Sequence, residues 1–150
     1  MVCGLIADIG STHARFALVD DHGIQDEKTL KCADYDNIVT AAQAFLGDIR
    51  VERGAFAIAG PVTGDMIEMT NHGWSFSIED TRQALELRCL DVMNDFKAIA
   101  LSIPHLQSDD FVQIGDGEAV AQTPIGIIGP GTGLGVASLI YGDGRHIAVP

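Results

Sequence analysis

Basic residues, cysteines and long apolar runs are scarce in this sequence, and each shortage excludes a class of protein. The 150 residues include 9 Lys and Arg against 21 Asp and Glu, a formal net charge of −12. Nucleic-acid binding needs cationic side chains to neutralise phosphates, so we expect no nucleic-acid partner. No run approaches the roughly 18 apolar residues of a transmembrane helix, and no positively charged segment of a secretory signal opens the chain. We therefore expect a cytoplasmic protein without a membrane partner.

The three cysteines, Cys3, Cys32 and Cys89, are odd in number and far apart. This pattern matches neither a disulfide framework nor a set of zinc ligands. We expect reduced thiols that pack as small apolar side chains.

The rest of the composition is that of an ordinary globular domain, 47% hydrophobic and 20% charged. Short apolar or alternating segments bounded by turn residues predict strands. In the first part of the chain these are residues 2–9, 15–20, 24–30, 54–60, 66–70 and 90–93. Residues 70–75, around the single Trp74, are predicted to form a surface loop pinned by a buried indole ring.

Apolar residues at helical spacing predict three helices. They cover residues 38–46, about 77–87, and 96–103. Asp36 is the predicted N-cap of the first helix and Gly47 its stop. Ser77 and Asp80 resemble a capping box at the start of the second, and Pro104 ends the third. The resulting order, β-β-β-α-β-α-β-α, predicts an α/β domain whose later strands are parallel.

A polar stretch near residue 106 predicts a boundary between a small α/β domain, residues 1–106, and the beginning of a larger one, residues 107–150. Strands of the second part are predicted at residues 111–114, 125–128, 135–141 and 146–149. No helix follows to cover their sheet. Because a sheet with an open face is incomplete, we expect the chain to be the front portion of a longer protein.

Two glycine-containing turns are candidate anion sites. Residues 129–135 match neither the P-loop pattern nor the dinucleotide fingerprint, so phosphate binding and a plain glycine hairpin remain equally open. In the earlier turn, Asp8 precedes Gly10, Ser11 and Thr12. Its carboxylate could hold Mg²⁺ through water, or simply bond to its own turn.

Asn94 and Asp95 lie where a predicted strand passes into a helix. Open α/β sheets bind ligands at the carboxyl ends of their strands. An Asp at this place could accept the proton of a substrate hydroxyl, and an Asn amide could bind sugar hydroxyls. The alternative is that Asp95 only caps the helix.

Four segments taken together resemble one family, the bacterial glucokinases. They are ADIGSTHARFAL, AIAGPVTGDMIEMTNHGWSFSI, VMNDFKAIALSIP and PIGIIGPGTGLGVASLI, and they occur in the family's order across nearly the whole chain. The resemblance implies the hexokinase branch of the actin-like ATPase fold (ribonuclease H-like), with a mixed sheet. It also implies ATP- and Mg²⁺-dependent phosphorylation of glucose at O6, by a homodimer when full length.

The resemblance assigns roles to residues of this chain. Asp95 matches the general base, and Asn94, Asp95 and Thr132 match sugar-site positions. Two segments match the phosphate hairpins that bind ATP: Ala7, Asp8, Ile9, Gly10, Ser11 and Thr12 in the first, and Gly131, Thr132 and Gly133 in the second. Asp8 would hold Mg²⁺ through water. Further sugar ligands of the family follow the position of Pro150, so residues 1–150 alone are expected to be inactive.

The first phosphate segment departs from the family pattern G-D-I-G-G-T-N-A-R at three positions. Ala7 replaces its first Gly, Ser11 a later Gly, and His13 the Asn. Ser11 adds a side chain where the backbone should approach phosphate, which leaves the phosphate donor open. Alternatives are another hexose or N-acetylhexosamine kinase of the same fold, a sugar-binding regulator without catalysis, and a plain structural domain.

Overall fold

The computed structural model describes residues 4–69, 73–130 and 134–150. Contacts within the chain divide it into two compact units, Met1–Asp95 and Phe96–Pro150. The helix that starts at Asp95 belongs with the second unit, since its apolar side chains pack there. The boundary near residue 106 stays a prediction for the domains of the intact protein.

The first unit is built from a five-stranded sheet, a small hairpin and two helices. Its elements are β1 (Gly4–Ile9), β2 (His13–Asp20), β3 (Gly23–Lys31), α1 (Ile38–Leu46), β4 (Arg53–Ile58), β5 (Met66–Glu68), β6 (Ser75–Ser77), α2 (Ile78–Ala84) and β7 (Cys89–Asn94). A 3-10 turn, Cys32–Asp34, follows β3.

The large sheet is mixed, with the strand order β3-β2-β1-β4-β7. β1, β2 and β3 form an antiparallel meander, whereas β4 and β7 run parallel to β1. The helices supply the crossovers that parallel strands require. The predicted α/β class with parallel later strands is confirmed.

One face of this sheet carries the core of the first unit. Leu5, Ala7 and Ile9 alternate into it along β1, because successive strand residues point to opposite faces. The ring of Phe16 stacks on Phe45 of α1 at 5.7 Å between centroids and meets Phe56 of β4 edge-on at 6.3 Å. The contact with Phe45 joins α1 to the sheet, and the contact with Phe56 lies within the sheet.

Two details of the helices differ from prediction. The N-cap of α1 is Asn37 rather than Asp36: its side chain accepts the Thr40 N–H at 3.0 Å, and the Thr40 hydroxyl accepts the Asn37 N–H at 3.3 Å. α2 ends at Ala84, short of residue 87, because Glu86 adopts a φ of 56° that no helix continues. Of the capping box predicted for Ser77 and Asp80, the Ser77 half is confirmed, since its hydroxyl accepts the Asp80 N–H at 3.0 Å.

A charged cluster closes the end of α2. Arg82 donates to both carboxylate oxygens of Glu79, at 2.8 and 2.6 Å, and to the Leu87 carbonyl at 2.7 Å. Hydrogen bonds from Arg82, and then from Gln83, lower the pKa of Glu79 to about 2. Arg82 thus links α2 to the residues that follow it and lead into β7.

Trp74 is buried, as predicted, and its indole N–H donates to the Tyr35 carbonyl at 3.1 Å. Of the loop predicted at residues 70–75, residues 70–72 lie outside the described residues, and Ser75 belongs to a strand rather than to a loop. Residues 75–77 form β6 and pair with β5. A strand of three residues is too short for its alternation of buried and exposed side chains to be recognised in the sequence.

The second unit consists of α3 (Asp95–Ser102), two 3-10 turns (Ile103–His105 and Ser108–Asp110), and an antiparallel sheet of β8 (Ile125–Pro130), β9 (Leu134–Gly142) and β10 (Arg145–Val149). Ala100 of α3 packs with Ile127, Ala137 and Leu139. The strand predicted at residues 111–114 is wrong: this segment is exposed and joins no sheet. An apolar segment that has no neighbouring strand to pair with does not form a strand.

We expect Gly54→Ala to destabilise the first unit. A Cβ at Gly54 would lie 2.8 Å from Leu90 Cδ1 and 2.9 Å from Leu87 Cδ1. Overpacking of this kind lowers the free energy of unfolding by about 1–3 kcal/mol, measurable by urea denaturation of the intact protein. Gly64→Ala is the control, because a Cβ there meets nothing within 4 Å. Equal stability of the two variants would contradict the packing described here.

Candidate functional site

Three segments that are far apart in the sequence end at one edge of the large sheet. Ile9 of β1 is in register with Ile58 of β4, and Ile58 with Asn94 of β7. Parallel neighbours lie about 4.8 Å apart, so the ends of β1 and β7 are about 10 Å apart with β4 between them. This edge brings the first glycine turn and the Asn94–Asp95 pair together within the first unit.

The first glycine turn joins β1 to β2. It closes through a hydrogen bond of 2.9 Å from the Gly10 N–H to the His13 carbonyl. Ser11 does not adopt a positive φ, so its side chain introduces no backbone strain. No protein group among the described residues accepts a hydrogen bond from the Ser11 or Thr12 N–H. Such amides in a turn are suited to an anion.

Ala7 and Ile9 turn their side chains into the core, where they are 8% and 0% exposed. Only their backbone can therefore reach a ligand. The Ile9 carbonyl already accepts the Ala59 N–H at 3.0 Å, which fastens the end of β1 to the exit from β4.

Asp8 points to the other face of the sheet and pairs with Arg15, its neighbour across the β1–β2 ladder, at 2.7 Å between Oδ2 and Nη1. Both side chains are about half exposed. An exposed pair contributes only about 0–1 kcal/mol, so Arg15 does not prevent Asp8 from binding a metal-bound water. Among the described residues no three His, Cys, Asp or Glu side chains converge as metal ligands. Mg²⁺ at Asp8 would depend on phosphates and water for its remaining ligands.

Asn94 ends β7 and Asp95 begins α3. The Asn94 Nδ2 group donates to the Gly60 carbonyl at 3.1 Å and to Asp95 Oδ1 at 2.9 Å. Both side chains are half-buried. The amide of Asn94 therefore orients the Asp95 carboxylate and ties it to the segment after β4.

The second glycine segment is the β8–β9 hairpin of the second unit, with Gly129 opposite Gly135. A Cβ on either glycine would collide with the ring of Phe96, at 2.6 Å from Cζ for Gly129 and against Cε2 for Gly135. Because the paired glycines have no side chains, they leave the space that the Phe96 ring occupies. The predicted site residues Gly131, Thr132 and Gly133 lie outside the described residues.

Sequence reasoning missed several residues of these two regions. Gly60 and Cys32 contact site segments through hydrogen bonds, and Phe96 contacts its glycines through ring packing. The glycines at 129 and 135 were a usable signal, because two facing glycines leave room for a ring.

None of the helices in the described ranges has the length and apolarity of a membrane span.

Comparison with known proteins gives one consistent result. A family model described as glucokinase matches residues 5–150. The chain is 49% identical over 141 residues to a glucokinase of Paramagnetospirillum magneticum, covering 91% of this chain and 44% of that protein. It is 47% identical over 150 residues to a glucokinase of Campylobacter jejuni subsp. doylei, covering 97% and 45%. The chain thus spans a little under half the length of these relatives.

Solved structures agree. A glucokinase from an Antarctic psychrotroph superposes with a TM-score of 0.86 at 35% identity, covering 97% of this chain and 48% of that one. A Balamuthia mandrillaris glucokinase in complex with glucose superposes with a TM-score of 0.71 at 20% identity, covering 97% and 46%, and supports the fold alone. The predicted actin-like ATPase fold is confirmed.

Because the Phe96 ring packs against these glycines, we expect substitutions of the ring and of a glycine to be coupled in their effect on stability. Gly135→Ala should destabilise the intact protein, because its Cβ would occupy the position of the ring. In a Phe96→Ala background the same change should have almost no effect, giving a coupling energy of about 0.5–3 kcal/mol in a double-mutant cycle of urea denaturation. Gly142→Ala, with nothing within 4 Å of its Cβ, is the matched control. Additive effects would show that the ring and the glycine do not interact.

Proposed function

The chain belongs to the glucokinase family, and from that premise we propose that the intact protein phosphorylates glucose with ATP, forming glucose 6-phosphate and ADP. The observation that carries this proposal is the common sheet edge of the first glycine turn and the Asn94–Asp95 pair. A phosphate-binding turn beside a carboxylate is what transfer of a phosphoryl group to a hydroxyl requires.

In the proposed reaction, Asp95 is the general base. Its carboxylate takes the proton of the sugar 6-hydroxyl as that oxygen forms its bond to the γ-phosphorus and the bond to the ADP oxygen breaks. The hydrogen bond from Asn94 supports this role, because it holds the carboxylate in one orientation. Asn94 and Thr132 are assigned to the sugar, as the family resemblance implies.

The turn of Gly10, Ser11 and Thr12 is assigned to the phosphates of ATP, together with the backbone of Ala7 and Ile9. The amides of Ser11 and Thr12 support this assignment, since the described residues offer them no other acceptor. Gly131, Thr132 and Gly133 would form the second phosphate segment. Asp8 would hold Mg²⁺ through water, and that ion when bound neutralises charge on the phosphates.

Glucose is proposed as the sugar because the relatives at 47–49% identity are named glucokinases. No observation favours another hexose, an N-acetylhexosamine or a regulator without catalysis. We propose that the intact protein is cytoplasmic and that it forms a homodimer, the latter as the family resemblance implies.

Asp95→Asn should lower kcat for glucose phosphorylation by the intact protein by about 10²-fold or more, since the amide cannot accept the proton. Glucose affinity, measured by calorimetry, should persist because the amide keeps the size of the side chain. Asp91→Asn, which changes an exposed carboxylate of β7, the strand that leads to Asp95, is the control and should keep normal kcat. An Asp95→Asn enzyme with near-normal kcat would exclude Asp95 as the base.

Asp8→Ala should increase the Mg²⁺ concentration needed for half-maximal rate by roughly tenfold, the effect of losing about 1.4 kcal/mol of binding, while KM for glucose stays unchanged. Asp21→Ala, in the exposed turn after β2, removes an equal charge elsewhere and should have no such effect. The measurement is a Mg²⁺ titration at saturating glucose. Equal Mg²⁺ requirements in the two variants would remove Asp8 from the metal site.

A further inference from the structure

Cys32 reaches the first glycine turn from the end of β3 through two contacts. Its thiol lies 3.6 Å from the Gly10 carbonyl oxygen, and its backbone N–H donates to the Thr12 carbonyl at 2.9 Å. The side chain is fully buried. One residue therefore holds the carbonyl groups on both sides of Ser11.

These contacts determine where the Ser11 N–H points. The Gly10 carbonyl and the Ser11 N–H belong to one planar trans peptide group, in which the two bonds point in opposite directions. The thiol draws the carbonyl toward the buried side. The Ser11 N–H is consequently directed away from the core, toward the half-exposed side of the turn.

The thiol is present in the form that can donate. Burial raises the pKa of Cys32 above its ordinary value, and the largest cause is the loss of hydration of the thiolate. A protonated S–H is a weak donor and the Gly10 carbonyl is its acceptor. The contact is thus a hydrogen bond that persists at neutral pH.

The geometry points to Cys32 as a positioning residue for ATP: it aims the Ser11 amide at the phosphates of the donor. This rests on the proposed function, because it assumes that the turn binds ATP. Cys32 would act through the turn and would not touch the nucleotide.

The test compares variants of Cys32 in the intact protein. Cys32→Ala removes the donor and should lower kcat/KM for ATP and weaken MgATP binding by about threefold to tenfold, the range expected for one hydrogen bond. Cys32→Ser keeps a donor and should restore both values. KM for glucose should stay within about twofold throughout, whereas a general loss of structure would change it as well.

Cys89→Ala is the matched control, since Cys89 is an exposed cysteine in β7. Cys32→Val, which fills the site without a donor, replaces Cys32→Ala if the smaller side chain impairs folding. MgATP binding is measured by calorimetry without glucose.

If the unsubstituted protein phosphorylates glucose but Cys32→Ala or Cys32→Val binds MgATP with unchanged affinity, the inference is overturned and the proposed function is not. Failure of Cys32→Ser to restore affinity would overturn it too. If the unsubstituted protein binds no MgATP and phosphorylates no glucose, the proposed function fails first and the inference with it.

Discussion

The register between the parallel strands β1, β4 and β7 is the constraint on which the candidate site depends. Burial sets that register, because Leu5, Ile9, Phe56 and Ile58 all face the same core. A slip of one residue would turn these side chains to the opposite face, so the register is strongly specified. The strand ends are thereby aligned, and the polar residues that follow them emerge at one edge.

Hydrogen bonds then hold in place the residues that the strand register has aligned at this edge. The Ile9 carbonyl accepts from Ala59, and the Gly60 carbonyl accepts from Asn94, whose amide also donates to Asp95. The segment after β4 therefore holds the first glycine turn on one side and the candidate base on the other. A turn and a carboxylate with different proposed roles thus depend on the same stretch of backbone.

The proposed activity belongs to the intact protein, because this chain spans a little under half the length of its relatives. The first unit contributes a turn with available amides and an oriented carboxylate. The second contributes a hairpin whose facing glycines receive the Phe96 ring. Each unit thus carries one of the two glycine segments between antiparallel strands.

Sequence alone determined the order of the main elements, the α/β class, the family, and the segments that meet at the site, since periodicity and motifs are local. It misplaced features decided by competition between neighbours: Asn37 caps α1 rather than Asp36, α2 ends early, and residues 111–114 find no partner strand. Only the tertiary structure brought Cys32 to Gly10, Arg15 to Asp8 and Phe96 to its two glycines. Those contacts join residues that are distant in the chain or on adjacent strands, and no local pattern encodes which side chain will fill a space that folding creates.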